Sequence, residues 1–136
     1  MNIEIRPAVD DDIDAVLALW ERAAEPTTTD DAIAVAALLG HDAGALLVAE
    51  ESGEIVGSVI AGWDGWRGSI YRLSVAPLRR RQGLGRRLLA AAEDRLHGLG
   101  VRRMQAIVIG SDDRAVAFWR TSDWGHQDGQ LRFVRG

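Results

Sequence analysis

The chain has 136 residues, 47% of them hydrophobic and 26% charged, the size and balance of one globular domain over residues 1–136 and not of a disordered or collagen-like polymer. Cysteine is absent, which excludes disulfide frameworks, thiolate zinc sites and cysteine nucleophiles; the three histidines, His41, His97 and His126, are not paired at a metal-ligand spacing, so no metal is expected. The net charge of −4 is uneven: residues 1–71 carry 14 Asp and Glu against 3 Arg, and residues 72–136 carry 13 Arg against 6 Asp and Glu, so a phosphate-bearing ligand suits the second part and a cationic one the first.

Ile3 and Ile5 alternate with polar neighbours, so residues 2–6 read as a strand ended by Pro7. Asp10, Asp11 and Asp12 then give an N-cap and an acidic first turn to a helix running to about Ala24, with Ile13, Val16, Leu17, Leu19 and Trp20 as its apolar stripe. The acid run complements the helix dipole and needs no metal to explain it. Pro26 and Thr27 to Thr29 form a loop; Asp30 or Asp31 caps a second helix through Leu39, closed by Gly40. The sheet resumes at residues 45–49, turns at Ser52-Gly53, continues over 54–62, and after Asp64-Gly65 and Gly68 returns over 69–75 as the third strand of an antiparallel meander.

Leu84, Leu88, Leu89, Ala92, Leu96 and Leu99 recur at helical spacing from Gly83 to about Leu99, and Gly100 closes that helix. Residues 103–109 read as a strand, so the segment from 69 to 109 is a βαβ crossover whose two strands run parallel. Asp112 or Asp113 caps a helix to about Ser122, and residues 124–128 and 130–134 around Gly129 read as a final hairpin. No apolar run approaches the roughly 18 residues of a membrane span, and the start Met1-Asn2-Ile3-Glu4-Ile5-Arg6 lacks the form of a signal peptide, so a cytoplasmic protein without membrane partners is expected.

The organising stretch is 73–89, where an apolar strand stops at Pro77 and a basic turn with Gly83 and Gly85 opens a helix. Free N–H groups at a helix start beside guanidinium groups make an anion site, suited to a phosphorylated cofactor. It is not a Walker loop, since the chain has no lysine, and not a dinucleotide fingerprint, since Leu88 stands where a third glycine is required.

In these residues the chain resembles the GCN5-related N-acetyltransferase (GNAT) family, whose acetyl-coenzyme A signature, Gln/Arg-x-x-Gly-x-Gly/Ala after a strand, is matched by Arg80-Arg81-Gln82-Gly83-Leu84-Gly85. The order β-α-α-β-β-β-α-β-α-β-β over almost the whole chain is also that family's, and residues 57–80, above all 62–69, resemble the bacterial YpeA-type members. The resemblance implies an α/β (α+β) acyl-CoA N-acyltransferase fold, with a mixed, mostly antiparallel sheet of about six to seven strands flanked by four helices. It implies acetyl-CoA as cofactor, with Leu73, Ser74 and Val75 along the pantetheine arm and Arg80, Arg81, Gln82, Gly83, Leu84, Gly85 and Arg86 around the pyrophosphate, and with charge from Arg79 and Arg87. The family's later Asn-x-x-Ala-x-x-Phe-Tyr motif is matched in altered form from Asp112 to Trp119, both included in the cofactor site.

Two departures bear on the chemistry. Trp119 stands where a tyrosine often serves as general acid, and an indole N–H cannot give up its proton at useful pH. Arg72 stands where many relatives carry a glutamate associated with base catalysis. The expected reaction is direct attack by a primary amine of a small molecule, peptide or protein on acetyl-CoA, with no acetyl-enzyme. Tyr71 is the candidate acid; Glu21, Glu25, Asp64, Asp112 or a water relay the candidate base; Glu21, Glu25 and Trp63 the candidate acceptor-binding residues. Each has an ordinary structural reading, surface charge for the carboxylates and sheet packing for Tyr71 and Trp63. A non-catalytic acetyl-CoA-binding module and a nucleotide-binding regulatory domain are the alternative functions. Nucleic-acid binding is not expected from a net negative chain whose arginines gather at one turn, and a monomer or homodimer is.

Overall fold

The computed structural model describes residues 2–23 and 30–136, in two compact units, Met1–Ala106 and Ile107–Gly136. The first unit is a five-stranded sheet in the order β1-β2-β3-β4-β5: β1 Ile3–Pro7, β2 Leu46–Glu51, β3 Glu54–Trp63, β4 Gly68–Val75 and β5 Met104–Ala106. β1 to β4 are an antiparallel meander and β5 runs parallel to β4. The helices of this unit are α1 Ile13–Arg22, α2 Ala32–His41 and α3 Leu84–Gly98.

α1 and α3 lie on opposite faces of the sheet. The Ser58 hydroxyl accepts a hydrogen bond from Trp20 Nε1 of α1 at 2.8 Å, whereas a Cβ on the preceding residue, Gly57, would come within 2.8 Å of Leu88 Cδ1 of α3. Successive strand residues point to opposite faces, so the two helices sandwich the strand, and glycine at 57 is what lets α3 approach so closely. Val16, Leu19 and Trp20 on one side and Leu84, Leu88, Ala92 and Leu96 on the other are buried against β3 and β4. Burying each large apolar side chain contributes about 1.5–3 kcal/mol before the cost of ordering it.

Asp10–Asp12 form a 3-10 turn ahead of α1, and Asp12 is the busiest of the three acids. Its carboxylate takes both terminal nitrogens of Arg6, at 2.7 and 3.0 Å, and the Val9 N–H at 2.8 Å. Arg6 also reaches Glu50 of β2, so this cluster clamps the start of α1 to the sheet.

Several expectations need correction. Gly40 lies inside α2 and does not close it: it keeps a negative φ, and the helix ends when the Asp42 N–H donates to Leu38 O at 2.9 Å. The strand expected over 103–109 is only Met104–Ala106: it pairs with Gly68, Ser69 and Ile70 of β4, whose regular ladder is broken soon after by a bulge at Arg72 and Leu73. The first helix ends at Arg22; Ala24 and the loop Pro26 to Thr29 lie outside the described residues.

The second unit contains α4, Asp113–Arg120, and no strand. The expected final hairpin is absent, so the sheet has five strands among the described residues, not six to seven. Leu131 and Phe133 are 82% and 88% exposed, and a lone hairpin without an apolar surface to cover gains too little to order itself. No helix among the described residues is long and apolar enough to cross a membrane, and no group of three or more His, Asp or Glu among them is placed to hold a metal ion.

Candidate functional site

The site is built around β4. Its ladder with β5 stops at Ile70 and Ala106, so from Tyr71 to Val75 that edge has no pairing strand among the described residues. On the other side the register with β3 slips: between the pairs Ser58 with Ser74 and Ile60 with Tyr71, β3 has Val59 alone while β4 has both Arg72 and Leu73. This is a β-bulge, and Arg72 absorbs it with φ +51. The Ala76 N–H donates to Val56 O at 2.8 Å, toward β3; alternation along the strand then turns the backbone groups of Val75 and Leu73 to the unpaired edge. Ser74 points its hydroxyl to the α1 face, 3% exposed and without a partner among the described residues.

After β4, Pro77–Arg79 make a 3-10 turn and the chain reverses through two left-handed residues, Arg81 (φ +65) and Gly83 (φ +78). Gly83 is the residue before α3, and no side chain caps that helix. The N–H groups of Leu84, Gly85 and Arg86 precede the first helical bond, Arg87 N to Gly83 O, and are aimed out of the helix start with no acidic residue in the first turn. Of the arginines expected to add charge, Arg79 is held by Glu51 at 2.6 Å and Arg87 donates to Ile3 O at 3.0 Å, so both brace the turn against the sheet. Arg80, Arg81, Gln82 and Arg86 complete the loop, with Arg81, Gln82 and Arg86 exposed.

On the α1 face, Tyr71 is 53% exposed and its ring lies against Gly62, where an added Cβ would sit 3.2 Å from Cε2. Next to it the Arg72 guanidinium stacks over the Trp20 ring, 4.6 Å from the centroid, and gives Nε and Nη2 hydrogen bonds of 2.9 and 2.6 Å to Asp30 Oδ2. The Arg72 carbonyl takes the Ser58 hydroxyl at 2.9 Å, which ties the bulge to Trp20 through one serine. Asp30 is the residue that sequence reasoning missed as a member of this site. The signal was its ambiguity as a cap: Asp31 takes that role, accepting from Ala34 N at 2.9 Å, and Asp30 is left over.

The other candidates are spread out. Glu21 is exposed near the end of α1, and Glu25 lies outside the described residues. Trp63 ends β3 opposite Gly68 and lines a shallow depression of about 430 Å3 with His41, Asp42, Asp64, Gly65, Arg95 and Leu99. That depression lies at the end where β4 begins, whereas the basic turn follows its other end. Asp64 is a turn-former: Oδ1 accepts the N–H groups of Arg67 (2.7 Å) and Trp66 (2.8 Å), which hold its carboxyl below the usual aspartate range. In the second unit Asp112 caps α4 by accepting from Ala115 N at 3.1 Å. Trp119 meets Phe118 and Trp124 edge to face, with centroids 5.5 and 5.0 Å away.

An open strand edge that leads into an uncapped helix start is a receptacle for an extended ligand ending in an anion. The model of the acetyltransferase (GNAT) family matches residues 11–124. Acetyltransferase SG1711 of Sodalis glossinidius is 34% identical over 131 residues, 95% of this chain and 92% of the relative. Acetyltransferase ECA0875 of Pectobacterium atrosepticum is 36% identical over 124 residues, 90% and 87%. Among solved structures, AAC(6')-Iy in complex with the bisubstrate analogue CoA-S-monomethyl-acetylneamine superposes with a TM-score of 0.77 at 18% identity, covering 100% of this chain and 99% of that one.

Proposed function

The chain belongs to the acetyltransferase (GNAT) family, and from that premise we infer that it transfers an acetyl group from acetyl-CoA directly to a primary amine of a small molecule, peptide or protein. The observation that carries this reading is the unpaired β4 edge from Tyr71 to Val75 running into the left-handed Gly83 and the bare start of α3. The residues fit the donor. Backbone groups of Leu73 and Val75 offer strand-like pairing to the amides of a pantetheine arm, with Ser74 beside them. N–H groups around Gly83, Leu84, Gly85 and Arg86, with the side chains of Arg80, Arg81 and Arg86, suit a pyrophosphate. When bound, acetyl-CoA supplies the activated acetyl thioester; the chain holds it and steers the amine.

A strand N–H at the bulge suits an oxyanion because it is fixed in advance and costs no reorganisation. For the proton on the departing sulfur we assign Tyr71, the half-exposed phenol next to the bulge. The indole N–H of Trp119 does not ionise at useful pH, and its aromatic packing suits a structural task. For the amine, Glu21 and Glu25 or ordered water are the acceptors we retain. Asp64 and Asp112 already spend their carboxylates on backbone N–H groups. The neighbour AAC(6')-Iy, whose complex carries a CoA-containing bisubstrate analogue, supports the choice of donor and of an amine acceptor.

Titration calorimetry with acetyl-CoA, followed by thiol release across amines, polyamines, amino acids, aminoglycosides and peptide N-termini, tests the reading. Binding is expected, with a stabilisation of about 2.7 kcal/mol at 100 times Kd. No heat at about millimolar acetyl-CoA overturns the donor assignment, and binding without turnover on any amine identifies a non-catalytic module.

A further inference from the structure

The ion pair on the α1 face says more about the acceptor. Asp30 and Arg72, 42 residues apart in sequence, are joined through Asp30 Oδ2 alone, by two guanidinium nitrogens. Arg72 is the inner partner, its side chain 12% exposed, while Asp30 is 38% exposed. No donor among the described residues is placed on Asp30 Oδ1. Trp20 under the guanidinium and Ser58 on the Arg72 carbonyl fix the arginine, and the arginine fixes the carboxylate. Asp30 Oδ1 is thus a carboxylate oxygen that Arg72 does not use, on the more exposed partner of the pair.

We propose that Asp30 Oδ1 binds an ammonium group of the acceptor and that the acceptor is a diamine or polyamine. The second part follows from charge. The nitrogen that attacks a thioester must first be neutral, and an ammonium held by a carboxylate is favoured in its charged form. The group on Asp30 is thus not the nucleophile; a second amine of the same molecule is. Arg72 is a positioning residue in this scheme, aiming Asp30 from the position beside the bulge. The inference rests on the acetyl-transfer reading but names a residue and an acceptor class that the reading leaves open.

The test compares 1,4-diaminobutane with 1-aminobutane. In the parent protein the diamine is expected to show a KM at least about tenfold lower. Asp30→Asn, which keeps an oxygen for Arg72, is expected to bring the diamine KM up to within a few-fold of the monoamine KM, and to be reversed in part by Asp30→Glu. A diamine-to-monoamine KM ratio near one in the parent overturns the proposal without any variant, as does a ratio that Asp30→Asn does not alter. Calorimetric titration of both amines into the CoA-saturated protein gives the same discrimination if turnover is absent, and equal heats overturn it. Failure of acetyl-CoA itself to bind is a different result and removes the acetyl-transfer reading.

Discussion

Arg72 is held at the bulge by contacts from three directions, Trp20, Ser58 and Asp30. Its left-handed backbone is strained for a residue with a Cβ, by roughly 1–2 kcal/mol, and is held by the Ser58 hydroxyl and the stack on Trp20. Tyr71 next to it is the chemical test: if its phenol protonates the thiolate, Tyr71→Phe lowers kcat by about 10- to 100-fold with the acetyl-CoA Kd unchanged, whereas an unchanged pH–rate profile assigns that proton to water. Gly83 is tested by charge: Gly83→Glu is expected to abolish acetyl-CoA binding in calorimetry, because it adds a carboxylate where anions should sit. Gly83→Ala meets no neighbouring atom and is expected to cost only about 1 kcal/mol of stability from its positive φ. Asp12 carries a pH signature. The Arg6 guanidinium holds its carboxyl below the usual aspartate range, so its stabilisation is complete above that ordinary value, near 4, and is lost as pH falls toward the lower folded value. Thermal melts from pH 5 to pH 3 should fall less steeply for Asp12→Asn than for the parent.

At the scale of elements, the bulge and the turn after it are separate devices in one strand. The bulge lies just past the end of the parallel ladder with β5, along the open edge; the turn brings α3 back across the opposite face from α1. Ser58 couples the strands to α1, since its one hydroxyl accepts from Trp20 and donates to Arg72. Ser58→Ala takes the acceptor from the buried Trp20 N–H and the hydroxyl donor from the Arg72 carbonyl, and a loss of about 1–3 kcal/mol in denaturant unfolding is expected. The periodicity of α3 was plain in the sequence because five apolar residues face one way, and so was the meander with its Ser52-Gly53 turn, where both residues adopt positive φ. The length of β5 and the absent final hairpin were not legible. Alternation marks which residues could form a strand, but only a partner edge decides whether they do.

At the scale of the whole molecule, the charge is uneven, with arginines after β4, where the donor is proposed to bind, and Asp30 on the α1 face, where the amine is proposed to bind. Raising ionic strength from about 50 to 300 mM is expected to weaken acetyl-CoA binding several-fold; an unchanged Kd would mean that backbone N–H groups carry the anion without help from the arginines. The single-domain reading of residues 1–136 is a proposal that one calorimetric unfolding transition would support and two would overturn. Taken alone, the sequence determined the helices, the order of the meander and the basic glycine turn, because each depends on residues a few positions apart: periodicity, caps, and Gly83 where φ must be positive. Only the tertiary structure decided which aspartate caps α2, where β4 leaves β5, and that Arg72 is answered by Asp30. Those outcomes depend on pairings across 42 residues and on an extra residue in one strand, and neither leaves a local pattern in the chain.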